Sequence, residues 1–164
     1  MRDLINLIYE KYHEDGEYRG VVEKYHEDTE STLILTMYDE EKVRREVEKF
    51  RHHICGKTVV EIGAGIGLLA LEMAKYAKYV VAIEKDPAWS FVFVKQLYKA
   101  GRKNLLFVFG DVDEFLKLFP EFRADVVVIY TRSGYEFFIS RALCFLPKLI
   151  ILNGRVMSGS EAGK

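Results

Sequence analysis

The sequence predicts an α/β fold: a doubly wound, mostly parallel sheet of about five strands in the order 3-2-1-4-5, with helices on both faces and a mainly helical N-terminal segment ahead of it. Two observations carry this. From residue 58 onward, short apolar runs alternate with stretches of helical spacing. Continuous apolar runs mark strands buried on both faces, the condition of a parallel sheet. The first run, Thr58–Ile62, also enters a glycine-rich turn, Gly63-Ala64-Gly65-Ile66-Gly67, ahead of a helix. Right-handed crossovers then fix the strand order, with ligands expected at the carboxyl ends of the strands.

Residues 2–13 place Leu4, Ile5, Leu7, Ile8 and Tyr12 near one helical stripe, and Glu14-Asp15-Gly16 ends it. The hexapeptide Glu-Lys-Tyr-His-Glu-Asp occurs at 10–15 and again at 23–28. Two copies are too few for a solenoid, and no function attaches to them. Leu33–Met37 reads as a short strand. Asp39 is placed to cap a helix with Val43, Val47, Phe50 and Ile54 on one face.

After the glycine turn comes a helix with Leu68, Leu69, Leu71, Met73 and Ala74. Tyr79–Ile83 is the second strand of the sheet, closed by Glu84, and Asp86-Pro87 opens a helix running to Ala100. Leu105–Phe109 is the third strand, followed by Gly110-Asp111 and a short helix ending at Pro120. Asp125–Tyr130 is the fourth, followed by the polar turn Thr131-Arg132-Ser133-Gly134. Tyr135–Phe145 reads as a helix stopped before Pro147, and Lys148–Leu152 as the fifth strand. The Gly- and Ser-rich tail is expected to be loose. The chain thus divides into a helical segment, 1–55, acting as a lid or edge cover, a sheet domain, 56–153, and a flexible tail, 154–164.

Length and composition bound the rest. The 164 residues are 49% hydrophobic and 30% charged, which fits one globular domain and excludes general disorder. Net charge is −1, against a protein that coats polyanions wholesale. Residues 1–50 carry a net −6 and residues 51–164 a net +5. Cys55 and Cys144 form no CxxC pair, so a Cys-based zinc site is excluded and a disulfide framework is not expected. The charged start Met1-Arg2-Asp3 predicts no signal peptide, and no apolar run approaches the ~18 residues that span a bilayer. The expectation is a cytoplasmic protein with no membrane partner. One Gln and three Asn hint at a thermophilic source.

Several residues invite two readings. His13 and His26 lack metal-ligand spacing and read as solvated charges, so no metal is expected. His52 and His53 point different ways on one helix. Trp89, Phe91 and Phe93 read as core. Arg102-Lys103, Arg123 and Arg132 read as solvated surface, because no aromatic platform motif accompanies them.

The glycine turn is the informative motif. It lacks the Gly-Lys-Ser/Thr of a phosphate loop, and Leu68 stands where a dinucleotide fingerprint wants its last glycine. Glycines at 63, 65 and 67, with Glu84 closing the second strand and Asp111 following the third, resemble the Rossmann-like core of class I S-adenosylmethionine-dependent methyltransferases. The run VVEIGAGIGLLALEMAKYAKYVVAIEKDP is most similar to the ribosomal RNA adenine dimethyltransferases. The resemblance covers about residues 56–153 and implies S-adenosylmethionine as cofactor, with S-adenosylhomocysteine as product. It implies that Glu61, Gly63, Ala64, Gly65 and Gly67 cradle the methionine end and that Glu84 takes the ribose hydroxyls. Asp111 and the Val112 backbone take the adenine, with Lys85 and Phe115 flanking the ring. Glu84 also reads as a solvated strand-end charge, and Asp111 as a helix cap.

The chain departs from that family after the fourth strand. The Asn/Asp-Pro-Pro-Tyr/Phe motif that grips a planar amine is replaced by Tyr130-Thr131-Arg132-Ser133-Gly134-Tyr135. Adenine methylation is therefore not implied. Arg132 is the candidate to hold an anionic acceptor, with Tyr130 and Tyr135 to orient a ring; the other reading is a helix-entry turn capped by Ser133. The family's hairpin beyond strand five is not expected here. The apolar fifth strand is then expected to be covered by residues 1–38 or by a second copy of the chain. The function expected is methyl transfer to an unidentified acceptor, with RNA or protein as partner. The alternatives are a non-catalytic module that binds a nucleotide or a partner, and a nicotinamide-dependent oxidoreductase, which Leu68 disfavours.

Overall fold

Three helices lead into the sheet: α1 (Arg2–Glu14), α2 (Gly16–Thr29) and α3 (Glu40–Ile54). The sheet region then runs β1 (Thr58–Ile62), α4 (Leu68–Met73), β2 (Tyr79–Glu84), α5 (Pro87–Ala100), β3 (Leu105–Phe109), α6 (Val112–Leu118), β4 (Val126–Ile129), α7 (Tyr135–Cys144), β5 (Leu149–Leu152), β6 (Arg155–Ser158) and α8 (Gly159–Ala162). The computed structural model describes residues 2–29 and 37–162. The strand expected at Leu33–Met37 lies outside the described residues, except for Met37, which is in no regular element.

The sheet order is β3-β2-β1-β4-β5-β6. The five parallel strands follow the expected order, and β1 is central: Val59 registers with Val80 on one side and with Val126 on the other. The sixth strand is a correction. The residues read as a loose tail turn back at Asn153-Gly154, and β6 pairs antiparallel with β5, Leu152 opposite Arg155. Asn153 takes a left-handed φ of 48°, which Asn tolerates better than most residues. β6 therefore covers the edge that was expected to need residues 1–38 or a second chain.

Helices cover both faces. One core joins α3, α4 and α5 to the sheet through Val47, Phe50, Met73 and Phe93; the other joins α6 and α7 through Phe115, Ala142 and Phe145. Asp39 caps α3, its carboxylate accepting the Lys42 N–H at 2.8 Å. The apolar face of α3 is fully buried at Val47, Phe50 and Ile54, worth roughly 1.5–3 kcal/mol per side chain. The 1–55 segment thus splits. Its last helix is built into the core, while α1 and α2 rest on α5.

Candidate functional site

The carboxyl ends of β1, β2, β3 and β4 meet at a cleft of about 270 Å³. Glu61, Gly63, Ala64, Gly65, Glu84, Lys85, Asp111, Val112, Tyr130 and Arg132 all line it, so the topology gathers most of the expected residues.

Glu84 organises the cleft. Its Oε2 accepts the Gly65 N–H and its Oε1 the Asp86 N–H, both at 2.7 Å. The carboxylate is 7% exposed and therefore no solvated strand-end charge. Burial raises its pKa, and the backbone N–H groups oppose the rise. Each oxygen keeps acceptor capacity beyond the bond described. Glu61 is buried more deeply, at 2% exposure, and among the described residues its Oε2 has no hydrogen-bond partner. Burial first, then the charge of Glu84, hold its carboxyl well above the usual range. A buried orphan oxygen costs about 1–3 kcal/mol unless a polar partner, from a ligand or a water, reaches it.

The glycines differ in what they do. Gly63 has φ 75° and open space where a Cβ would stand, so it keeps the cleft floor clear. Gly67 does not line the cleft. It caps α4 at φ 82°, and a Cβ there would meet the Phe93 ring at 2.2 Å. Its requirement is helix packing rather than the expected ligand contact.

On the far wall Asp111 does two things at once. Oδ1 accepts the Asp113 N–H at 2.9 Å, capping α6, and Oδ2 accepts from Lys85 at 3.0 Å. Burial works against the charge of Lys85, but the bond to Asp111 raises its pKa overall. Phe115 is a second correction. It lies 5% exposed in the core against Phe119, Phe122 and Phe145, and does not line the cleft.

The turn after β4 is pinned by an amide bridge. Asn153 Oδ1 accepts the Thr131 N–H and Asn153 Nδ2 donates to the Thr131 carbonyl, each at 2.9 Å. The turn between β5 and β6 thereby shapes the cleft. Arg132 is exposed at its mouth, and among the described residues no carboxylate pairs with it. The Tyr130 hydroxyl donates to Glu46 Oε2 on α3 at 3.3 Å, and burial with that negative neighbour raises its pKa. Tyr135 stands outside the lining, 45% exposed, its hydroxyl on the Arg132 carbonyl. Phe137 and Phe138 line the cleft in its place. Gly134, not Ser133, is the α7 cap.

Sequence reasoning missed the clasp from α2. His26 Nε2 lies 3.0 Å from Asp86 Oδ2, and the other Asp86 oxygen caps α5 at Ala88. Tyr25 and Trp89 line the cleft beside it. His26 is therefore a partly buried partner, not the solvated charge expected, and Trp89 is a wall residue rather than pure core. The second hexapeptide copy carried this signal, since an aromatic and a histidine recur there in a short acidic run.

Strand order, glycine turn and strand-end carboxylates together define the fold of the class I S-adenosylmethionine-dependent methyltransferases. The family described as "Ribosomal RNA adenine dimethylase" matches residues 37–112, ending before β4. A "Probable ribosomal RNA small subunit methyltransferase A" of Methanosphaera stadtmanae is 46% identical over 67 residues, 40% of this chain and 24% of that protein. The chain spans about a quarter of the length of the curated relatives it matches. Among solved structures, precorrin-6y C5,15-methyltransferase from Geobacter metallireducens aligns at TM-score 0.60 with 23% identity, covering 76% of this chain and 68% of that one. TYW2 from M. jannaschii, in complex with AdoMet, aligns at TM-score 0.57 with 21% identity, covering 71% and 53%.

Proposed function

We propose that this chain binds S-adenosylmethionine and is the cofactor-binding part of a methyltransferase acting on RNA. The observation that carries the reading is the convergence on one cleft of the glycine turn, Glu84, Asp111 and a buried Glu61 oxygen that has no partner among the described residues. The residues fit the cofactor. Glu61 lies under the glycine turn, where an ammonium or a bridging water would satisfy it. Glu84 has lone pairs left for vicinal hydroxyls. Asp111 and Val112 stand at the opposite wall for the adenine, with Lys85 beside them. RNA is favoured as acceptor because the matching family and the curated relatives are described by that substrate; the solved neighbours include other acceptors.

When bound, the cofactor supplies an electrophilic methyl group on a sulfonium. The protein then has only to align an acceptor lone pair with it, and positioning can supply ~7–11 kcal/mol of the barrier. Tyr130 is a poor general base, because its hydroxyl already donates to Glu46 and its raised pKa keeps the proton. The acceptor therefore brings its own lone pair. Arg132 is suited to hold a phosphate beside it, bidentately, and Phe137 and Phe138 offer the apolar wall.

The test is incorporation of labelled methyl from S-adenosylmethionine into RNA transcripts. The reading predicts incorporation by wild type, and in Arg132→Ala a fall of at least 10-fold with S-adenosylhomocysteine affinity within about 2-fold. Equal losses of both would assign Arg132 to the cofactor or the fold. Cofactor binding without incorporation into RNA, protein or metabolite pools would instead favour the non-catalytic module.

A further inference from the structure

The outer face of α5 carries a cationic stripe that the cleft does not use. Val94, Lys95, Tyr98 and Lys99 share one exposed face of the helix, and Arg102 and Lys103 follow the Gly101 cap. Tyr98 is 90% exposed and Val94 51%. Among the described residues no carboxylate lies within ion-pair distance of Lys95, Lys99, Arg102 or Lys103. Beside the stripe runs a groove of about 600 Å³, with Lys95, Lys99 and Arg102 in its wall. Its two acids are Glu40 and Glu72, and Glu72 is already held by Lys75.

The stripe and the cleft share one helix: Asp86 caps α5 and Trp89 in its first turn lines the cleft, while the stripe occupies the later turns. Lys99 lies ten positions beyond Trp89, about 15 Å of helical rise. The sequence pattern around Arg102-Lys103 offered no aromatic platform; the helix supplies one by setting Tyr98 among the cations.

We propose that this face of α5 is a docking surface for single-stranded RNA, the cations following the phosphates and Tyr98 stacking on a base. Charge complementarity selects a polyanion, and an open phenol among cations is the combination that holds unpaired strands without reading sequence. An acidic peptide would use the lysines and leave Tyr98 idle. The choice of RNA among polyanions rests on the proposed function; the surface itself does not.

The experiment is fluorescence anisotropy with an unstructured labelled RNA of about 16 nucleotides at several salt concentrations, alongside S-adenosylhomocysteine calorimetry on the same preparations. All substituted residues are exposed. The Lys95→Glu/Lys99→Glu/Lys103→Glu variant should bind RNA at least 10-fold more weakly, with the slope of log affinity against log salt reduced by about 2. Tyr98→Ala should weaken binding roughly 5- to 150-fold. Both variants should keep wild-type affinity for S-adenosylhomocysteine. No RNA binding by wild type, or variants that bind RNA as wild type does, would overturn the stripe. With heparin titrated alongside as a polyanion without bases, an inert Tyr98→Ala together with equal losses of heparin and RNA affinity in the charge variant would also overturn it, marking a bare polyanion surface. Failure of wild type to bind S-adenosylhomocysteine would overturn the proposed function, while the RNA titrations would still decide the stripe.

Discussion

At the scale of single residues, the site is governed by two buried carboxyl groups with different duties. Glu84 ties the glycine turn to the end of β2, so Glu84→Ala alone would remove both the proposed ribose contact and the loop anchor. A cycle separates them: methylthioadenosine and its 2′,3′-dideoxy analogue, each titrated against wild type and Glu84→Ala. Hydrogen bonds to a charged acceptor of about 1.5–3 kcal/mol predict that wild type prefers the ribose form roughly 10- to 150-fold and that the variant loses most of this preference. Equal preference in both proteins would remove Glu84 from the ribose. Glu61 gives a stability prediction. Its folded pKa is raised, so the folded protein keeps a proton that the unfolded chain releases above the ordinary carboxylate value of about 4.3. Stability of the ligand-free protein should fall as pH rises from there toward the folded pKa, by about 1.4 kcal/mol for each pH unit. Glu61→Gln should flatten that dependence and raise the melting temperature at neutral pH, while weakening S-adenosylhomocysteine. An unchanged pH profile in Glu61→Gln would mean that another group controls it.

At the scale of elements, legibility depended on whether the determinants were local. The α3 register followed from a cap and a stripe, and all four face residues are buried. The strand order followed from crossover handedness. β6 was not legible, because Arg155–Ser158 is short and polar at one end, and only the long-range pairing with β5 makes it a strand. Removal of residues 155–164 should uncover Leu149–Leu152 and give soluble aggregates by light scattering; a variant that stays monodisperse would show that the β5 edge needs no cover. The repeated hexapeptide was visible but not interpretable from its pattern, because what each copy does depends on tertiary partners outside it. In the first copy Tyr12 donates to Glu23, which opens the second copy, at 2.5 Å; in the second, His26 reaches Asp86. His26→Ala should speed backbone hydrogen exchange of residues 16–29 at least several-fold with the sheet unchanged. Unaltered exchange there would mean that Tyr18, which donates to the Ala88 carbonyl, holds α2 by itself.

At the scale of the whole molecule, the chain places its ligand-facing residues at one end of a parallel sheet, with α2 over that rim and β6 closing the far edge. The gathering of the proposed cofactor residues at one cleft was legible because they sit at strand ends, where the topology collects them. The proposed acceptor side was less so. Tyr135 falls outside the lining while Phe137 and Phe138 fall inside, a matter of helix phase at the start of α7 that Gly134 as cap sets. Gly67 read as a ligand glycine because its packing partner, Phe93, is 26 positions away. The central claim is that this cleft takes S-adenosylmethionine, and calorimetric titration of the wild-type chain with S-adenosylhomocysteine and with NAD tests it most directly. Saturable one-to-one binding of S-adenosylhomocysteine is expected, with no heat from NAD and no competition when NAD is present in excess. Binding of NAD, or no binding of S-adenosylhomocysteine by a folded protein, would contradict it.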